Sequence, residues 1–286
     1  MENLIFDIST PDSAFKFIQD FFQISGSEFI HKYIIESKSN FDMFWERNFN
    51  YIEAIDITDL KYKVLHVTSN WDDCSEIKTK GLYNLQRVLS EQTTLSKLLS
   101  EHGVQFDIKN KVLYYYGKEF DIDYDKYRGK YGLTQKEEYL EEVARKIYFD
   151  PQINGFFAVD NVYGYGTNIH RRPEFLMNLV NLFPHLKEVE KLWCEKSKGY
   201  IVSFIADFNQ FAWFSFYDNE DEYYEDKDSR LKLKEWIISK AVRRSFDHGN
   251  TGTEIYAYMK IDTIIQPDQI VEYQELNENN IIEYYK

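Results

Sequence analysis

Two cysteines in 286 residues, Cys74 and Cys194, are too few for a disulfide framework. Nothing in the sequence supports a bridge between them, and a reducing cytoplasm is the expected setting. No run of 18 uninterrupted apolar residues occurs, so no membrane-spanning helix is expected. The opening Met1-Glu2-Asn3-Leu4 has neither a basic region nor a long apolar run, so it does not read as a signal peptide. Positive charge is scarce: 34 Lys and Arg stand against 48 Asp and Glu, for a net charge of −14. Such a surface repels phosphate backbones over most of its area and leaves nucleic acid only a local basic patch. A protein or small-molecule target fits the charge better. Several chemistries also lack their motifs. The chain has no Cys/His cluster with zinc-ligand spacing, no Gly-Lys-Ser/Thr phosphate loop and no Gly-x-Ser-x-Gly nucleophile turn.

What the chain has in quantity is aromatic side chains. At 43% hydrophobic and 17% aromatic, with 23 Tyr and 22 Phe, it can bury a sizeable core in one large domain or two small ones. Ser9-Thr10-Pro11-Asp12 is a helix start, a hydroxyl cap with Pro in the first turn. Phe15, Ile18 and Phe22 follow on one face, and a second helix begins near Glu28. Residues 1–60 therefore read as a helical N-terminal cap, and 61–286 as the main domain. Thr93 or Thr94 starts a short helix that stops at Gly103. Gly117-Lys118 joins two strands as a hairpin, and helices are expected over 135–148, 174–183, 186–196 and 231–246. The acidic run Asp218–Asp228 reads as a solvated loop, since it lacks the glycine and spacing of a calcium loop. Strands near 62–68, 154–160, 200–208, 211–217 and 254–260 complete the pattern. The mixture predicts an α+β fold with a split, mostly antiparallel sheet, flanking helices and a helical N-terminal segment.

Three stretches carry the chemistry. Val64-Leu65-His66-Val67-Thr68 reads as a strand ending near a His and a hydroxyl two residues on. Asp72 or Asp73 then caps a short helix that holds Ile77 and stops at Gly81-Leu82, a glycine suited to positive φ. Gly155-Phe156-Phe157-Ala158-Val159-Asp160 is a buried strand whose glycine predicts a bulge or a close backbone approach. It leads into Tyr163-Gly164-Tyr165-Gly166 and then His170-Arg171-Arg172. In Asn250-Thr251-Gly252-Thr253-Glu254-Ile255-Tyr256-Ala257-Tyr258, Glu254 opens a strand and shares a face with Tyr256 and Tyr258.

In this order, over about residues 60–275, the stretches resemble the ADP-ribosyltransferase superfamily. The likeness is to the poly(ADP-ribose) polymerase type and the related DNA-targeting bacterial toxins. The resemblance rests on His66-x-Thr68 with Ile77 and Gly81-Leu82, on Gly155-x-Phe157, and on the late-strand Glu254 followed by Gln266–Val271. It implies NAD as substrate and no metal. It also implies a catalytic pair, Glu254 and His66, and NAD contacts from His66, Thr68, Gly81 and Phe157. The sequence departs from the family at Phe157, which stands where a Tyr stacks on nicotinamide. Tyr163 or Tyr165 is the alternative source of that ring, and Arg171, or the Arg243-Arg244 pair, would meet the pyrophosphate. The residue types suit the reaction, because cleaving the nicotinamide–ribose bond builds positive charge that a Glu carboxylate stabilises. His66, Thr68, Phe157 and Glu254 are then expected in one cleft.

The resulting expectation is an NAD-dependent ADP-ribosyltransferase, a bacterial toxin or defence effector. Its acceptor would be a protein or a nucleic acid, and an antitoxin or other regulatory protein would be its partner. Phe157 and the charge of −14 motivate a second reading, a catalytically silent, acidic interaction protein of the immunity or antitoxin kind. A metal-dependent nuclease built on the acidic run is a third.

Overall fold

The computed structural model describes residues 4–164, 167–247 and 252–276. In chain order it forms β1 (Ile5–Phe6), α1 (Pro11–Phe22), α2 (Gly26–Ile30), α3 (Phe41–Ala54), β2 (Lys61–Asn70), α4 (Ser75–Lys80), α5 (Leu85–Ser90) and α6 (Thr94–Glu101). Then come β3 (Val104–Asp107), β4 (Val112–Tyr115), β5 (Lys118–Asp121), α7 (Gln135–Tyr148), β6 (Asn154–Val159), α8 (Glu174–Leu182) and α9 (Lys187–Lys196). The last elements are β7 (Lys198–Asp207), α10 (Glu220–Glu225), α11 (Leu231–Ser245), β8 (Glu254–Tyr258) and β9 (Ile270–Leu276). The main sheet has the order β8-β6-β2-β7-β9, with β1 pairing in parallel with β2, and β3-β4-β5 form a separate antiparallel meander. This is an α+β fold with a mostly antiparallel sheet and flanking helices.

The chain divides into two compact units. The first comprises Met1–Leu65, Asn154–Asn161 and Ser203–Met259; the second comprises His66–Ile153, Val162–Val202 and Lys260–Lys286. The N-terminal helices therefore share a unit with β6, β8 and α11, and the division falls inside β2 rather than at residue 60.

In the first unit, α1 starts at a capping box. The Thr10 hydroxyl accepts the Ser13 amide, the Ser13 hydroxyl accepts the Thr10 amide, and Pro11 is the first helical residue. The apolar face of α1 buries Phe17, Ile18 and Phe21, and the helix packs on α11. The helix expected from Glu28 starts as α2 and continues as a π-helical stretch, His31–Glu36. The core is aromatic: Phe6, Tyr62, Phe157, Phe211, Phe216 and Trp236 meet at centroid separations of 5.1–6.3 Å.

The expected strand over 211–217 is absent. The segment forms one isolated bridge, Phe211 to Met259 just past β8, and then turns through a short 3-10 helix, Trp213–Ser215. Phe216 and Tyr217, which follow the 3-10 helix, are both buried. The acidic run is likewise ordered. Asn219 caps α10, and the buried Asp226 carboxylate accepts the amides of Lys232 and Leu233 at 3.0 and 2.9 Å in the first turn of α11.

In the second unit, α6, α7, α8 and the meander bury one apolar cluster that includes Leu98, Leu99, Leu113, Val143, Ile147, Leu176 and Leu179. Thr93 caps α6 and Thr134 caps α7 through capping boxes. The β4–β5 hairpin turns through Tyr116 and Gly117, with φ of 47° and 76°. Positive φ at both positions is the turn whose twist matches the flanking strands.

Candidate functional site

Strand β2 carries the first stretch. Its burial alternation changes phase midway: Tyr62 and Val64 are buried, then Leu65, Val67 and Ser69. His66 and Thr68 therefore emerge half-buried on the same face of the strand. On the opposite face, Ser69 accepts the indole N–H of Trp193 at 2.9 Å. The strand then ends in a built turn. The Asn70 side-chain oxygen accepts the amides of Asp72 and Cys74, and Asp72 accepts the Glu76 amide at 2.9 Å to start α4. Asp73 is held below the usual carboxylate range by Lys198 and by the Tyr200 hydroxyl. Burial pushes the thiol of Cys74 up to about 12, so it stays protonated near neutral pH and is not a nucleophile.

Gly81 ends α4 with φ 85° and ψ −168°, backbone that only glycine adopts without strain. A Cβ there would lie 2.0 Å from the carbonyl oxygen of Ile265, whose backbone exchanges hydrogen bonds with Leu82. This contact explains the glycine by chain packing, without a ligand.

Tyr163 and His170 meet edge to face at 5.3 Å. Tyr165 lies outside the described residues. Arg171 is exposed and tied through its backbone, its amide to the Asn168 carbonyl and its carbonyl to the Ser197 hydroxyl. Its neighbour Arg172 is committed to Glu190, with Nε to Oε1 at 2.5 Å, and to the Thr167 carbonyl.

The second stretch confirms the reason for its glycine. A Cβ on Gly155 would fall 2.6 Å from Val64 and 2.8 Å from the Leu65 carbonyl, and the pairing of β6 with β8 shifts register between Phe156 and Ala158. Phe157 sits at that bulge and is fully buried against Phe6, Tyr62, Phe211, Phe216 and Trp236. This corrects the expectation of a nicotinamide platform: the ring belongs to the core.

Glu254 opens β8 opposite Val159 and is exposed. Asn250 and Thr251, from the same stretch, lie outside the described residues. The residue before Glu254 is fixed on three atoms. The Thr253 amide donates to the Asp160 carboxylate at 2.9 Å, its carbonyl accepts the Asp160 amide at 3.0 Å, and its hydroxyl donates to Asp247 at 3.0 Å. Arg244, 5% exposed, pairs with both carboxylates at 2.7 and 2.9 Å. The C-terminal end of α11 thereby clamps the end of β6 to the start of β8. From Glu254 the outward face of β8 continues as Tyr256 and Tyr258. Their rings stack at 5.9 Å, and the Tyr256 hydroxyl donates to Glu254 at 2.5 Å. Sequence reasoning missed the Arg244 clamp and the Tyr256–Glu254 bond. The i, i+2 alternation was signal enough for the second; the sequence singled out the Arg243-Arg244 pair for a pyrophosphate, whereas Arg244 is buried and committed to Asp160 and Asp247.

Chemically, the first unit presents an exposed carboxylate on rigid strand backbone with an aromatic row beside it. The second presents a His and a Thr on one strand face. Among the described residues, no group of three or more His, Cys, Asp or Glu could hold a metal ion, and no helix is long and apolar enough to cross a membrane. Comparison with protein-family models, with curated proteins and with solved structures returns no match.

Proposed function

We propose that this chain is an NAD-dependent ADP-ribosyltransferase, acting in the cytoplasm as a toxin or defence effector on a macromolecular acceptor. The observation that carries the reading is Glu254: an exposed carboxylate at the start of β8, held by a phenol and backed by the Arg244 clamp. A carboxylate fixed in this way suits a reaction that develops positive charge on a sugar. The C1′–N bond of NAD breaks, its electron pair leaves with nicotinamide, and an acceptor nucleophile bonds C1′ and gives up its proton. Glu254 stabilises the ribose as the bond breaks, since preorganised charge costs no rearrangement at that moment. His66 and Thr68 are the groups for the ribose and the nicotinamide amide, and Arg171 for the pyrophosphate.

One observation favours a second reading. Phe157 is sealed in the core, so the stacking ring of the resemblance is missing from its position. An acidic interaction protein of the immunity or antitoxin kind needs no such ring. Incubating the purified protein with labelled NAD in a lysate separates the two. The transferase reading expects label on a protein or nucleic acid together with release of nicotinamide, and the interaction reading expects neither.

A further inference from the structure

We infer that Tyr256 is a positioning residue for Glu254, an inference that rests on the transferase reading. The two side chains lie on the same face of β8, two residues apart, and the phenol donates to Oε2 of the carboxylate at 2.5 Å. A hydrogen bond to a charged acceptor is short and directional. It selects one of the many rotamers that a Glu on an open strand face otherwise samples.

The donor is itself locked. Phe156, 4% exposed and directly opposite in register, packs against the Tyr256 ring at 5.2 Å. Tyr258 stacks on it along the strand at 5.9 Å with 18° between the planes. Tyr258 is anchored in turn. Its amide donates to the Ser215 hydroxyl and its carbonyl accepts from that hydroxyl and from the Ala212 amide, each at 2.9 Å, while Phe214 covers its ring at 5.1 Å. The row from Phe214 through Tyr258 and Tyr256 to Glu254 thus transmits rigidity from the folded backbone to one carboxylate oxygen. The phenol engages Oε2, and Oε1 is the oxygen that meets the ribose hydroxyls. A hydrogen bond on an exposed face adds little to stability, so the pair's value lies in fixing catalytic geometry.

The test is a double-mutant cycle on NAD cleavage, read by nicotinamide release, with wild type, Tyr256→Phe, Glu254→Gln and the double variant. Phe keeps the ring and its stacking and removes only the hydroxyl. Positioning predicts that Tyr256→Phe lowers kcat by about tenfold to a hundredfold, leaves KM within about threefold and does not change the melting temperature. In the Glu254→Gln background the same change should have no further effect. If wild type turns over NAD and Tyr256→Phe matches it, or if the two losses simply multiply, the positioning role is overturned and the transferase reading stands. If wild type releases no nicotinamide, the transferase reading falls and takes this role with it.

Discussion

The guanidinium of Arg244 lies 2.7 Å from the carboxylate of Asp160, and that carboxylate also accepts the amide of Thr253, the residue before Glu254. The proposed catalytic strand is therefore set by a buried ion cluster to which the C-terminal end of α11 contributes the cation. Arg244→Met fills similar volume but removes the guanidinium from Asp160 and Asp247, both about nine-tenths buried. Breaking such a cluster by removing one partner costs about 3–5 kcal/mol. The denaturation midpoint in urea should drop accordingly, and nicotinamide release should fall with it even where the protein is still folded.

Phe157 tests the boundary between core and site. Phe157→Tyr restores the residue type of the resembled family, but it forces a hydroxyl into a fully buried site packed by aromatic rings. Burying an unpaired hydroxyl costs about 1–3 kcal/mol. The variant should melt lower and release nicotinamide no faster than wild type. A faster rate would return this position to the nicotinamide site.

Much of the fold was legible because local signals and tertiary packing agree. The helix expected over 135–148 runs from Gln135 to Tyr148, where Thr134 and Glu137 form a capping box and Leu140, Val143 and Ile147 face one core. Disagreement arose where packing overrides pattern. Phe211–Tyr217 is as aromatic as a strand, yet it turns through the 3-10 helix Trp213–Ser215 instead of extending along β8. Strand β1 is two residues long, too short to show any period, and pairs with a strand over fifty residues away. Gly81 and Gly155 were legible as special backbone, but the sequence does not say whether a glycine makes room for a ligand or for the chain itself. In both cases it is the chain, Ile265 and Leu65.

Glu190 provides a pH test. Burial raises its pKa, but the hydrogen bonds and charges of Lys187 and Arg172 outweigh this and hold the carboxyl below its ordinary 4.5. The folded state then binds that proton less readily than the unfolded chain. The stability Glu190 contributes is full above pH 4.5 and is lost as the pH falls through the folded value. Glu190→Gln should melt below wild type at pH 7, and the gap should close as the pH is lowered beneath 4.5. A gap that stays constant would show that the pair with Arg172 contributes no charge-dependent stability.

The central claim is that Glu254 supplies charge to the transition state of NAD cleavage. Glu254→Gln keeps size and hydrogen bonding and removes only that charge, on an exposed residue whose loss should leave the melting temperature unchanged. Initial rates of nicotinamide release from NAD are the direct measurement. The account predicts clear release by wild type and a loss of about a hundredfold to a thousandfold in kcat for Glu254→Gln, with NAD affinity little altered. Equal rates in the two proteins would contradict it and make Glu254 an ordinary surface carboxylate.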